Sequence, residues 1–328
     1  MVTGRKERRK AMSTVKKAAV KRGSLGERIV RAIRRDKWLF LIMLLPTAYY
    51  LLFCYYPMYG VVLAFKNFKP KLGIIGSPWA SQNGMKYINM IIRDQYFWRV
   101  FFNTIILNLL NLAITFPAPI ILALLLNEVG SKWYKKSVQT ITYLPHFLSA
   151  VVIVGMLNDL FNSTGLVNTL ITSMGGDKIP FLTSAKWFRP LYIGSNLWQG
   201  VGWDSIIFLA ALSSLDMELY EAARIDGAGR WKQTLHITLP GILPTIVIML
   251  ILAMGRIMSV SFQKIWLMMN GGNQQVADVI STYVYQRGII NSDFSYATGV
   301  NLFQSLVSLF FVLITNAISK RATETSLW

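Results

Sequence analysis

The side chains that usually carry chemistry are scarce in this chain of 328 residues. Its one cysteine, Cys54, excludes an internal disulfide and a cysteine-clustered metal site. Its two histidines, His146 and His236, are far apart in sequence and leave little material for a zinc centre or a histidine-based triad. What recurs instead is polar residues at helical spacing inside apolar stretches. Thr104, Asn108, Asn111 and Thr115 follow one another at intervals that place them on one face. Asn301, Gln304, Ser308 and Thr315 fit a similar face, Arg256, Ser259 and Gln263 cluster near one another, and Trp198, Gln199, Trp203 and Asp204 form a further group. Polar groups facing lipid are costly, so these faces should point inward. Two uses stay open for them: hydrogen bonds between helices, worth about 0.6 kcal/mol per contact, or the lining of a path for a polar solute. Trp198 and Trp203 could stack on such a solute or anchor a helix at the membrane interface. Asp204 and Arg256 are the sharpest of the set, because a charge at the centre of a span costs roughly 2.5 to 3.5 kcal/mol. On helical geometry their depths differ by roughly 5 Å, within reach of a long arginine side chain. Either they pair with each other, or Arg256 meets a substrate.

The stretches that would hold these residues are long and apolar. Hydrophobic residues make up 53% of the chain, charged residues 15%, and mean hydropathy is +0.42; a soluble domain has about 25% charged residues. A helix needs about 20 mainly apolar residues to cross a bilayer. Residues 38–65 run 28 positions without a charge, too long and without the small-residue cleavage pattern of a signal peptide, so this segment is expected to be retained. Further spans are expected at 100–126, 141–161, 190–215, 242–262 and 298–319, the fifth interrupted only by Arg256. The reading is an all-α membrane domain of six spans over 38–319, with a basic tail at 1–37 and a short carboxyl-terminal tail at 320–328.

Net charge is +19, and residues 1–37 hold fourteen Lys/Arg against Glu7, Glu27 and Asp36. That tail adjoins the first span and decides the topology, placing both termini in the cytoplasm of an inner-membrane protein. It has no aromatic interleaving and no nucleic-acid reader motif; its expected partner is anionic lipid, at roughly 1 kcal/mol per basic residue near the surface. No internal repeat is evident, which weighs against secondary transporters built from repeated halves. The outer segment between the last two spans is expected to hold a short interfacial helix around residues 279–287.

The segment 213–244 is the most specific. Ser213 or Ser214 can cap a helix in which Asp216, Glu218 and Glu221 fall early, complementing the positive helix end. Ala222 and Ala223 keep one face low, and Gly227 suits the left-handed residue that ends a helix. A second short helix over 228–237 should stop at Pro240. The product is either a rigid helix–turn–helix hook with a small-residue face suited to a cleft in another protein, or an ordinary loop with a helical turn.

The run EAARIDGAGRWKQTLHITLP resembles the EAA loop of permease subunits of binding-protein-dependent ABC importers. The matching residues are Glu221, Ala222, Ala223 and Gly227, then Ile237, Leu239 and Pro240. Gly227 comes one residue later than in the simplest form, with Asp226 before it. LPTAYYLLFCYYPMYGVVLAFKNF, NTIILNLLNLAITFPAPIILALLLNEV and ADVISTYVYQRGI are similar to the LplB-type polysaccharide-uptake branch of that MetI-like, type I family. The resemblance implies a six-helix fold and a partner set: a second homologous permease, two cytoplasmic ATPases that bind ATP and Mg, and an extracytoplasmic sugar-binding protein. It assigns Glu221 and Asp226 to polar contact with an ATPase, and Ala222, Ala223 and Gly227 to close packing. No G-x-x-x-x-G-K-[ST] phosphate loop occurs here, so hydrolysis is expected in another chain. Related permeases carry a small or polar residue where Arg256 stands, and this departure points to an acidic oligosaccharide such as an oligouronide. An importer of another solute, such as glycerol phosphate or a lipo-oligosaccharide, stays open. So does an ion-coupled carrier, which would have no need of the hook.

Overall fold

In a bilayer every backbone N–H and C=O must be satisfied within the segment, and helices achieve this locally. A computed structural model of the chain describes residues 35–323, with side chains to residue 321. Most of the basic tail and the last residues of the carboxyl-terminal tail, which carry the expectations for 1–37 and 320–328, lie outside the described residues. No strand forms among the described residues; the one β feature there is an isolated bridge between Lys66 and Trp79. The chain divides into two units, Met1–Gly60 and Val61–Trp328.

In the first unit, α1 (Lys37–Tyr49) runs on through the π-helical turn Tyr50–Tyr55 into Tyr56–Met58, and none of these residues is buried. The second unit contains α2 (Lys86–Arg93), α3 (Gln95–Thr115), α4 (Pro117–Glu128), α5 (Lys132–Tyr143), α6 (Ala150–Phe161) and α7 (Leu166–Ser173). These are followed by α8 (Ala185–Ser213), α9 (Met217–Ile225), α10 (Leu239–Gly255), α11 (Phe262–Met268), α12 (Ile280–Val284) and α13 (Phe294–Thr323).

Five helical runs among the described residues are long and apolar enough to cross a membrane: Lys37–Phe65, Gln95–Glu128, Ala150–Ser173, Arg230–Gly255 and Phe294–Arg321. The fourth expected span corresponds to α8, whose 29 residues reach about 43 Å. Lys186, Arg189 and Asp204 make it less apolar than the others.

The span expected over 100–126 lies within the single run Gln95–Glu128, in which Phe116 keeps helical φ and ψ and Pro117 opens α4. Two expected boundaries shift, each for a local reason. The helix expected over 141–161 does not form as one piece: α5 ends at Tyr143, Pro145 lies in the 3₁₀ turn Leu144–Phe147, and α6 starts afresh with Ser149 Oγ accepting from Val152 N at 3.3 Å. The helix expected over 242–262 instead occupies Arg230–Gly255. Pro240 therefore does not stop a helix; the run passes through it directly after the π-helical turn Thr234–Thr238. The segment around 279–287 is helical, but Val279, Ile280, Thr282 and Tyr283 are buried, so it belongs to the core and not to an interface.

The core of the second unit has three buried clusters. Phe97, Phe101, Ile257, Tyr283, Tyr296 and Val300 join α3, α12 and α13. Leu107, Phe188, Tyr192 and Ile265 join α3, α8 and α11. Ala123, Phe208, Leu212 and Ile242 join α4, α8 and α10. Helix α8 runs through two of them, which makes it the central post on which the polar residues are arranged.

Candidate functional site

Two sites can be assembled from these elements, a projecting hook and a polar cavity. In the hook, the N-cap is Asp216 and not Ser213 or Ser214, because α8 continues to Ser213. The Asp216 carboxylate accepts from Glu218 N at 2.9 Å, and Glu218 lies in the first turn. At the other end Gly227 takes φ +75°, and Ala228 N donates to Ala223 O at 2.8 Å, closing α9 as expected. The next helix starts at Arg230 and runs through the π-helical turn Thr234–Thr238 into α10 without interruption. The second half of the hook is thus the base of a long helix, and α9 is joined to it by the turn at Gly227. Tyr220 Oη and Thr238 Oγ1 tie α9 to that base at 2.9 Å, and Arg230 lies 3.7 Å from Glu128 at the end of α4. Glu221, Ala222 and Asp226 are exposed and Ala223 half-buried; Ile225 is 87% and Trp231 80% exposed. A braced element that exposes apolar side chains has the form of a docking surface.

The cavity, of about 420 Å³, opens between α3, α8 and α10, and Asn108, Asn111, Thr115, Asp204, Arg256 and Ser259 are among its lining residues. The Asn/Thr face of α3, Asp204 of α8 and Arg256 at the end of α10 therefore line one cavity. No ion pair within 4.0 Å joins Asp204 to Arg256 among the described residues. Arg256 is the C-cap of α10, where a cation is favoured by the negative end of the helix dipole, so it does not depend on a carboxylate partner.

The remaining polar candidates are placed elsewhere. Trp198 lines a separate apolar cavity with Phe161 and Pro190. Trp203 stacks on the His146 ring at 4.5 Å and 4°. Gln304 donates to Met258 O at 2.8 Å, an interhelical tie, and Gln263 is exposed. Gln199 leads to a residue the sequence reading missed. Lys264 of α11 is 3% exposed, and its Nζ donates to Asn196 Oδ1 at 2.7 Å and Gln199 Oε1 at 2.8 Å. A lysine just past an expected span end reads as a surface residue; the nearest signal was the amide pair Asn196 and Gln199 on one α8 face.

A second polar cluster ties the segment between α2 and α3 to α12 and α13. Asp94 Oδ2 accepts from Tyr283 Oη at 2.7 Å and Tyr296 Oη at 2.9 Å, with Arg287 at 3.9 Å. Burial works to raise this carboxyl, but the two phenols and the backbone N–H groups of Tyr96 and Phe97 hold it below its ordinary range.

The family model described as "binding-protein-dependent transport system inner membrane component" matches residues 115–324. The polygalacturonan/rhamnogalacturonan transport system permease protein YteP of Bacillus subtilis (strain 168) is 44% identical over 303 residues, 92% of this chain and 94% of its own length. Protein LplB of the same organism is 43% identical over 298 residues, 90% of this chain and 93% of its own. Among solved structures, a chain of a bacterial alginate ABC transporter, in complex with alginate pentasaccharide-bound periplasmic protein, superposes with TM-score 0.82. It is 42% identical and the match covers 92% of this chain and all of that one.

Proposed function

The chain belongs to the family of binding-protein-dependent transport system inner membrane components, and we propose that it imports acidic oligosaccharides of the uronate-bearing kind. It is a multi-pass membrane permease subunit of an ABC importer for polysaccharides, with the all-α MetI-like fold. Relatives named for polygalacturonan/rhamnogalacturonan and for alginate support an acidic cargo. The observation that carries the reading to this chain is the cavity that Arg256 lines with Asn108 and Asn111, with no carboxylate within 4.0 Å of the guanidinium among the described residues. A free guanidinium can take a sugar carboxylate, while Asp204 and the Thr115 hydroxyl can take sugar hydroxyls.

In this reading six spans cross the cytoplasmic membrane, α8 among them, with both termini in the cytoplasm. A second homologous permease completes the path, and an extracytoplasmic sugar-binding protein delivers the oligosaccharide. Two ATPase subunits hold ATP and Mg and receive the hook, with Glu221 and Asp226 in polar contact and Ala222, Ala223 and Gly227 packed close. Because α9 is tied through Tyr220 and Thr238 to the base of the helix that becomes α10, displacement of the hook moves a wall of the cavity.

Uptake of labelled acidic and neutral oligosaccharides by Arg256→Ala tests the charge recognition. Acidic uptake is expected to fall about tenfold further than neutral uptake, the equivalent of about 1.4 kcal/mol. Equal loss for both kinds of sugar would remove Arg256 from substrate recognition.

A further inference from the structure

Lys264 is a buried ammonium whose side-chain partners are two amide oxygens, with no carboxylate within 4.0 Å among the described residues. An ammonium has three donors and no acceptor. It therefore dictates which end of each neighbouring amide faces it, a choice that the near-identical shapes of amide O and N would otherwise leave open. With its oxygen committed to Lys264, Asn196 turns its Nδ2 to Asn111 Oδ1 at 3.0 Å, and Gln199 turns its Nε2 to Leu148 O at 2.9 Å. Asn111 in turn has its oxygen engaged, so its donor end faces Thr115 Oγ1 at 3.4 Å, too long for a strong bond. The Thr115 proton is already given to Asn111 O at 2.8 Å. Asn111 and Thr115 both line the cavity. One helical turn back on α3, Asn108 lines it too, and its buried Nδ2 has no hydrogen-bond partner among the described residues.

We infer that Lys264 is a positioning residue which, acting through Asn196, turns the amide of Asn111 so that the α3 wall of the cavity presents a donor, and so selects oligosaccharides that bear carboxylates. A carboxylate is acceptor-only, whereas a sugar hydroxyl can donate or accept. An amide oxygen turned to the cavity would tolerate the hydroxyl and repel the carboxylate, which is how one polarity choice becomes a substrate preference. This inference rests on the acidic-sugar reading above.

The test is transport by the complete importer, reconstituted with its partner subunits, of an oligouronide and of the same oligosaccharide with its carboxyl groups reduced to alcohols. Wild type is expected to prefer the oligouronide; no preference would overturn the acidic-sugar reading before any variant is read. Lys264→Met removes the ammonium. Asn196→Asp keeps an acceptor beside it and adds a counter-charge to the buried ammonium, but a carboxylate cannot donate to Asn111. Both are expected to lower the wild-type preference at least threefold at unchanged membrane levels, and Asn196→Asp carries the test where Lys264→Met fails to insert. A preference that falls less than threefold in Asn196→Asp overturns the role of Lys264 and leaves the acidic-sugar reading standing.

Discussion

Asp94 illustrates how one carboxylate can join three distant parts of the chain. It accepts from Tyr283 and Tyr296 and faces Arg287, and hydrogen bonds to a charged group contribute about 1.5 to 3 kcal/mol. Asp94→Asn is therefore expected to destabilise the detergent-solubilised protein by about 2 kcal/mol at neutral pH, read as a lower thermal transition. Because the folded-state pKa is held below the ordinary carboxylate value of about 3.9, the stabilisation is present above that value and is lost as pH falls through the lower folded one. The gap between wild type and variant should thus narrow under acid; a gap that widens below about pH 4 would contradict the assignment. Not all of this scale was legible in the sequence. That Asn108 and Asn111 share a face was, since helical spacing sets it, and so was the comparable depth of Asp204 and Arg256; that the four line one cavity was not. Two further features were not: that Arg256 stands at a helix end without Asp204 as partner, and that Lys264 lies in the core. Both depend on where the chain turns after Gly255, which hydropathy does not mark.

At the scale of elements, α8 is held against α5 by a close approach that only glycine permits. A Cβ on Gly202 would lie 2.2 Å from Thr142 O, a backbone atom that cannot swing aside. Gly202→Leu is expected to lower the thermal transition of the solubilised protein by the equivalent of at least 1–3 kcal/mol, the range for overpacked cores; an unchanged transition would show that α5 is free to move. Such packing of small residues is what holds helices together where lipid provides no hydrophobic drive. The sequence showed where α9 would close, because Gly227 and the alanines before it have a local geometry. It did not show the break at Pro145, which lies within an apolar run, nor the passage of a helix through Pro240. Whether a proline ends a helix or opens one depends on which side of it the helix packs.

At the scale of the full chain, the proposed coupling rests on the tie from α9 to the base of α10, whose other end lines the cavity. Gly227 holds φ +75°, which proline cannot adopt, and α9 is braced by Tyr220 to the base of α10. Gly227→Pro should uncouple the exposed Glu221 face from α10, and Glu221→Lys should reverse its charge, in each case with the protein still in the membrane. The most direct measurement is oligouronide uptake into vesicles carrying the complete importer and its binding protein, with ATP on the hook side. Wild-type vesicles are expected to accumulate the sugar only with ATP, and Gly227→Pro vesicles at least tenfold less. Accumulation at the wild-type rate by Gly227→Pro, or without ATP, would contradict transport driven through the hook.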